Sequence, residues 1–210
     1  MSQLNNQKFT LRARRGTAAN LALSTTYLLE GELAFTTDNK RLSIGDDSGN
    51  KKTIGTYILF DHYADVGNIG TGEDDLYSDT LPASTLANNG EKVTAQYSLI
   101  LVSSGTATRQ IKAYFGGTLI LDSAAQTFAS GGNIEIWITV IRESSTVVRV
   151  TAELVPSGIT LQPIVTYTRI TGLTLTNTQI LKITGEAAGV GAATDDIVAK
   201  LGYVEWKPAA

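Results

Sequence analysis

The stretch Val93-Thr94-Ala95-Gln96-Tyr97-Ser98-Leu99-Ile100-Leu101 decides the fold class. Val93, Ala95, Tyr97, Leu99 and Leu101 fall on one parity and Thr94, Gln96 and Ser98 on the other. That period-two alternation is the signature of a strand with one face in a core and one in water. The same reading applies onward. In residues 109–115, Ile111, Ala113 and Phe115 point inward. Gly116-Gly117 turns the chain into Thr118-Leu119-Ile120-Leu121. Ile134, Ile136, Ile138 and Val140 share a face, as do Val148, Val150, Ala152 and Leu154 after a turn at Ser144-Ser145. Pro156-Ser157-Gly158 is a further turn. A strand over 160–167 carries Pro163, which removes a ladder donor and suits a sheet edge. Residues 173–186 and 196–206 read as the last two strands. Strands recurring at about a dozen residues, without a convincing helix, predict an antiparallel two-sheet sandwich of about eight strands, most simply a jelly roll.

Upstream the elements are shorter. Residues 8–14 alternate, with Phe9, Leu11 and Ala13 on one face. Glu32-Leu33-Ala34-Phe35-Thr36-Thr37, the turn Asp38-Asn39-Lys40 and Arg41-Leu42-Ser43-Ile44 form a hairpin. Lys51-Lys52-Thr53-Ile54 returns after Gly45-Asp46-Asp47-Ser48-Gly49-Asn50. Strands of this length cannot bury a sufficient core alone. They pack on the next domain or, as favoured here, on identical copies. Tyr57-Ile58-Leu59-Phe60 is a short apolar strand, and Gly67 to Asp75 reads as a Gly-rich acidic loop. The expected division is 1–62 and 63–210.

Composition narrows function. The 210 residues carry 17 Lys+Arg and 20 Asp+Glu, a formal charge of −3. Residues 1–62 hold eight basic and six acidic side chains (+2), which leaves nine and 14 (−5) for the rest. Nothing here offers the clustered basic face that nucleic acid needs. There is no Cys and one His, so an ordinary zinc site and thiolate chemistry are not expected. No 18-residue apolar run predicts a membrane span, and the N-terminus lacks the pattern of a signal peptide. No cofactor is expected.

Candidate chemistry is sparse. His62, between Asp61 and Tyr63, has no nucleophile elbow nearby, so it reads as a surface or interface residue rather than a triad base. Glu135, Glu143, Glu153 and Glu205 could pair as glycosidase carboxylates, but Glu135 and Glu153 have solvent-facing parity. Glu73-Asp74-Asp75 with Asp79 invites a calcium reading, although the spacing matches no EF-hand, and a solvated acidic loop is the simpler expectation. Gly67-Asn68-Ile69-Gly70-Thr71-Gly72 lacks the following helix and Gly-Lys-Ser/Thr end of a phosphate loop. Trp137 has outward parity between Glu135 and Thr139, which marks it as a possible surface contact, for a neighbouring subunit or a host ligand.

The first 55 residues resemble the segment that opens many phage tail fibres and related virion proteins. The resemblance rests on Leu11, Arg14-Arg15-Gly16-Thr17-Ala18-Ala19, Leu29-Glu30-Gly31-Glu32-Leu33-Ala34-Phe35-Thr36-Thr37-Asp38 and Arg41-Leu42-Ser43-Ile44-Gly45-Asp46. Where the family often continues with an aromatic stretch, this chain has Asp47-Ser48-Gly49-Asn50-Lys51-Lys52. Residues 65–206 also resemble a domain recurring in phage fibre proteins. The resemblance implies a homotrimer whose attachment and trimerisation residues are Arg14, Arg15, Gly16, Glu30, Gly31, Glu32, Leu33, Phe35, Asp38, Arg41, Leu42, Ile44, Gly45 and Asp46. The implied function is a non-enzymatic virion structural protein on the particle surface, assembled in the host cytoplasm. It would contact other virion proteins through its N-terminal segment and a host glycan or protein through its knob. A tail fibre or receptor-binding knob is the first expectation. A capsid decoration protein or head fibre is the alternative, and a polysaccharide-processing enzyme comes third.

Overall fold

The structure, a computed structural model, describes residues 14–17, 29–36, 42–45, 51–102, 106–128 and 131–209. Among these no helix occurs. The chain divides after Gly55 into two compact units.

The N-terminal unit holds one sheet in the order β1(Arg14–Gly16), β2(Leu33–Thr36), β3(Leu42–Gly45), β4(Lys51–Ile54). β1 runs parallel to β2, and the other pairs are antiparallel. Phe35 lies opposite Leu42 and Leu33 opposite Ile44, as the hairpin reading requires. The turn at Asp38 and the part of the first strand before Arg14 lie outside the described residues.

The second unit is a sandwich. One sheet runs β10(Thr118–Asp122), β9(Thr108–Phe115), β14(Gln179–Ala188), β7(Gly72–Leu81). The other runs β13(Ile164–Ile170), β12(Val147–Ser157), β11(Gly132–Ser144), β8(Lys92–Leu101), β15(Ile197–Lys207), β5(Tyr57–His62), with the short β6(Val66–Gly67) also on β15. The pairs β5/β15, β7/β14, β8/β11 and β9/β10 nest inside one another along the chain and divide between the two sheets. That is the order produced by rolling up one long hairpin, a jelly roll. β12 and β13 are additions that extend the β11 edge.

The inward sets read from parity are all buried: Val93 to Leu101 on β8, Ile111 to Phe115 on β9, Ile134 to Val140 on β11 and Val148 to Leu154 on β12. β13 is an edge strand, and it begins immediately after Pro163, which cannot donate to the ladder. The β stretch expected from 173 begins only at Gln179.

Two boundaries differ from the sequence reading. The domain division falls at Gly55/Thr56 rather than 62/63, because β5 is the sandwich strand paired with β15. Tyr57 packs on the fully buried Trp206, with ring centroids 5.6 Å apart. The acidic loop is also not a loop: Glu73, Asp74 and Asp75 belong to β7. Their polarity concealed a strand whose partners are distant in sequence. Asp75 meets Lys182 on the adjacent β14, and Glu73 reaches across β14 to Lys112 on β9.

Candidate functional site: an N-terminal motif and an exposed sheet face

In the N-terminal unit the motif residues build one another's positions. Gly31 has φ +73°, a left-handed conformation that glycine adopts without steric cost. Glu32 N–H then bonds back to Leu29 O at 2.8 Å, and Gly31 N–H reaches Gly45 O at 3.0 Å. Gly45 N–H donates to Glu32 O at 2.9 Å, and Glu30 forms a bridge with Gly45. The Glu32 carboxylate closes the arrangement. It accepts Leu29 N–H at 2.9 Å and Arg14 Nε at 2.7 Å. Those two donors, the backbone one first, hold its carboxyl below the usual range. Arg14, Glu30, Gly31, Glu32 and Gly45 are therefore brought together. Arg15 and Gly16 pair with Phe35 and Thr36 in the parallel ladder. Leu33, Phe35, Leu42 and Ile44 are only partly buried, and Leu29 is 72% exposed. Asp38, Arg41 and Asp46 lie outside the described residues.

In the second unit the outward face of the seven-stranded sheet collects the polar parity of the long strands. Register places Val165, Glu153, Trp137, Gln96 and Tyr203 in one row across five strands. Tyr167, Thr151, Thr139, Thr94 and Glu205 form the next row. Trp137 is 46% exposed and Tyr167 81%. Outward parity for Trp137 was legible; the flanking aromatics were not, because register is a tertiary property. Tyr203 donates to Gln96 Oε1 at 3.0 Å, and Glu135 accepts Ser98 Oγ at 2.6 Å. Glu135 and Glu153 do point away from the core, but both are half-buried by their neighbours. A groove of about 430 Å³ lies among Thr139, Ile141, Arg149, Thr151, Tyr167 and Arg169.

His62, expected as a surface or interface residue, is half-buried and held by specific partners. Its Nε2 sits 2.9 Å from Asp79 Oδ1, and its ring stacks on Tyr77 at 4.1 Å. Asp79 is buried and also accepts the Tyr97 hydroxyl at 3.1 Å. Burial, then the Asp79 charge, pushes the Tyr97 phenol well above its ordinary range, so it stays a donor. Asp79 is thus a core hydrogen-bond hub rather than a member of an acidic loop.

Asn68, from the glycine-rich stretch, is likewise structural. It is fully buried, donates to Gly70 O and Ala193 O, and accepts Ile197 N–H at 2.8 Å. Among the described residues no group of acidic or imidazole side chains is arranged to hold a metal. Glu73 is engaged by donors of the protein itself. Burial pushes its carboxyl up, but hydrogen bonds from Lys112, Tyr114 and Thr184 outweigh it and hold it at about 2.

The class defined by the fold is a jelly-roll sandwich carrying a small separate β unit. Residues 11–46 match the family model described as the major tropism determinant N-terminal domain, a phage protein. That match spans the Arg14–Glu32–Gly45 arrangement and stops before the sandwich. No curated protein matches the chain. Among solved structures, peanut lectin with a nine-residue peptide is similar at 7% identity over 75% of this chain and 100% of that one, with TM-score 0.41. The CBM2 module of the evolved Dit from Lactobacillus casei BL23 phage J-1 is similar at 8% identity over 63% and 69%, TM-score 0.31. A protein of the T13 IBDV viral particle is similar at 11% identity over 80% and 37%, TM-score 0.31. These are remote likenesses, and the jelly-roll topology stands on the strand order of this chain itself.

Proposed function

We propose that this protein is a surface component of a phage particle, a homotrimer held by its N-terminal unit, whose jelly-roll knob contacts the host. The carrying observation is the match of residues 11–46 to the tropism-determinant N-terminal domain, together with the motif geometry those residues form. The scale of that unit supports the trimer. Among its described residues Ala34 is the one buried hydrophobic side chain, while Leu29 and Ile54 are exposed. Four strands of three or four residues with so little buried apolar surface make a marginal unit, and further copies around a threefold axis would cover the remaining apolar atoms.

The knob has no need of an exposed Trp for its own core, so Trp137 and Tyr167 are contact groups. The test uses the full chain. Light scattering should give the mass of a trimer, Phe35→Asp should lower it, and purified protein should bind host cells and block adsorption. A monomeric wild type that neither binds cells nor blocks adsorption overturns the reading. The basic excess of residues 1–62 favours a seat on an acidic surface, which gives capsid decoration as the second reading. Virion labelling separates tail from head.

A further inference from the structure

The outward face of the seven-stranded sheet has one end unlike the rest of the molecule. Register aligns Arg169 with Arg149, Arg149 with Ile141, Ile141 with Lys92, and Lys92 with Lys207. All have outward parity, and Arg149 and Arg169 side chains are 69% and 52% exposed. Two like-charge pairs therefore face each other directly across neighbouring strands, which costs a sheet stability. Glu143 relieves one pair: it accepts Arg149 Nε at 2.8 Å and Arg169 Nη2 at 2.7 Å. Glu205 approaches Lys207 at 3.4 Å. Along this end row four cations stand against two carboxylates, in a chain whose net charge is −3, while Glu135 and Glu153 lie further along the same face.

Fold stability accounts for the Glu143-bridged arginine half of this row, but not for Lys92 opposite Lys207. Half of the row, with Tyr167, is supplied by β12 and β13, strands the jelly roll does not require. The adjoining row holds the exposed Tyr167 ring, the hydroxyls of Thr151, Thr139 and Thr94, and Glu205; the row beyond it holds Trp137 between Glu153 and Gln96. The Tyr167–Arg149–Arg169 groove, at about 430 Å³, is of the size that encloses a small ligand. Aromatic faces accept the C–H face of a pyranose and threonine hydroxyls meet its ring hydroxyls; Arg169 already holds Glu143 through Nε and Nη2, which leaves the remaining guanidinium N–H groups and the Lys92 ammonium to attract ligand carboxylates.

We infer that this face binds an acidic polysaccharide, its sugar rings on Tyr167 and Trp137 and its carboxylates along Arg169, Arg149, Lys92 and Lys207. The inference rests on the host-contact reading above and specifies the ligand class. Charge complementarity selects it over a neutral glycan. The hydroxyl and aromatic rows select it over a bare phosphate backbone, which would need cations without rings.

The experiment titrates the full-length protein with polygalacturonate, alginate and polysialic acid, each also as its neutral methyl ester, at low and at raised salt, with duplex DNA as a further arm. Binding to at least one acid form, weakened about tenfold or more by esterification and weakened by salt, is the expected result. Lys92→Gln and Arg149→Gln should each lose most of that binding. Lys92→Gln should also leave thermal stability equal or higher, since it removes a like-charge pair; a merely structural lysine would not behave so. Trp137→Ala should weaken acid and ester alike. Failure to bind any of the acids, equal binding of acid and ester, or equal binding of DNA overturns the inference. So does undiminished host-cell binding by Lys92→Gln and Arg149→Gln, and in that case the adhesive reading itself survives. Wild-type protein that binds no cells at all sinks the adhesive reading instead.

Discussion

Tyr97 lies directly against Gly202: a Cβ on Gly202 would come within 2.4 Å of the Tyr97 ring and 3.1 Å of the Gln96 carbonyl oxygen. The missing side chain lets the ring lie across β15, where its hydroxyl meets Asp79 beside His62. Gly202→Ala must displace that ring or the strand. The expected cost is about 1–3 kcal/mol, read as a lowered unfolding midpoint. An unchanged midpoint would show that the ring is free to yield.

Asp79 serves two partners from a buried position. Asp79→Ala would leave the fully buried Tyr97 hydroxyl and the His62 ring without their acceptor. Stranding a buried polar group costs about 1–3 kcal/mol. Tyr97→Phe in the same background should recover part of the loss, because it removes the stranded donor. Denaturant unfolding of the single and double variants measures this coupling.

Arg109 and Asp196 form a buried ion pair, with Nη2 to Oδ1 at 3.0 Å and Arg109 Nε donating to the Asp196 carbonyl at 3.3 Å. Removing one partner leaves an uncompensated buried charge, so Asp196→Ala should destabilise by about 3–5 kcal/mol. Replacing both by Met and Leu should cost much less. Equal losses for the single and double variants would contradict the pairing.

Acid should loosen the knob at two places. Glu73 and Glu143 are both held at about 2, Glu73 against the effect of burial by Lys112, Tyr114 and Thr184, and Glu143 chiefly by Arg169 and then Arg149. Both values are depressed, so the folded state binds fewer protons than the unfolded chain below 4.5. Their stabilising contribution is complete above the ordinary carboxylate range and is lost as pH falls from about 4.5 towards 2. Glu143→Gln should blunt the acid sensitivity of the unfolding midpoint and lower the midpoint at neutral pH, where Arg149 then faces Arg169 without its counter-charge.

The N-terminal unit should respond to Glu32 alone. Glu32→Ala removes the acceptor for Arg14 and for Leu29 N–H. Limited proteolysis within residues 14–55 should accelerate several-fold while the unfolding transition of the sandwich is unchanged. Glu32→Gln should fall between the two.

Much of the sandwich was legible because its strands are long and cleanly alternating. Parity alone placed Tyr97, Phe115, Ile136 and Val150 in the core and Trp137 on the surface. What failed to show was fixed by partners far along the chain. β7 begins with Glu73-Asp74-Asp75, a polar run that reads as a loop until Lys112 and Lys182 are seen beside it. β5 was assigned to the wrong side of the division because nothing local reveals that Tyr57 packs against Trp206. His62 reads as ordinary because Asp79 and Tyr97 approach it only through sheet packing. The basic row is invisible in sequence: Lys92, Arg149, Arg169 and Lys207 are scattered, and only strand register aligns them. In the N-terminal unit the motif was legible as a string of residues, and the contacts within it were not. Gly31 turns the chain so that Glu32 can reach back to Leu29 and across to Arg14.

The central claim is that this chain stands on the outside of a phage particle with its sandwich facing outward. Intact purified virions labelled with gold-coupled antibody against the knob, and imaged without disruption, test it directly. The account predicts label on the outer surface, clustered at the tail for a fibre or spread over the shell for a decoration protein. Particles that remain unlabelled while the same antibody binds the free protein would contradict it.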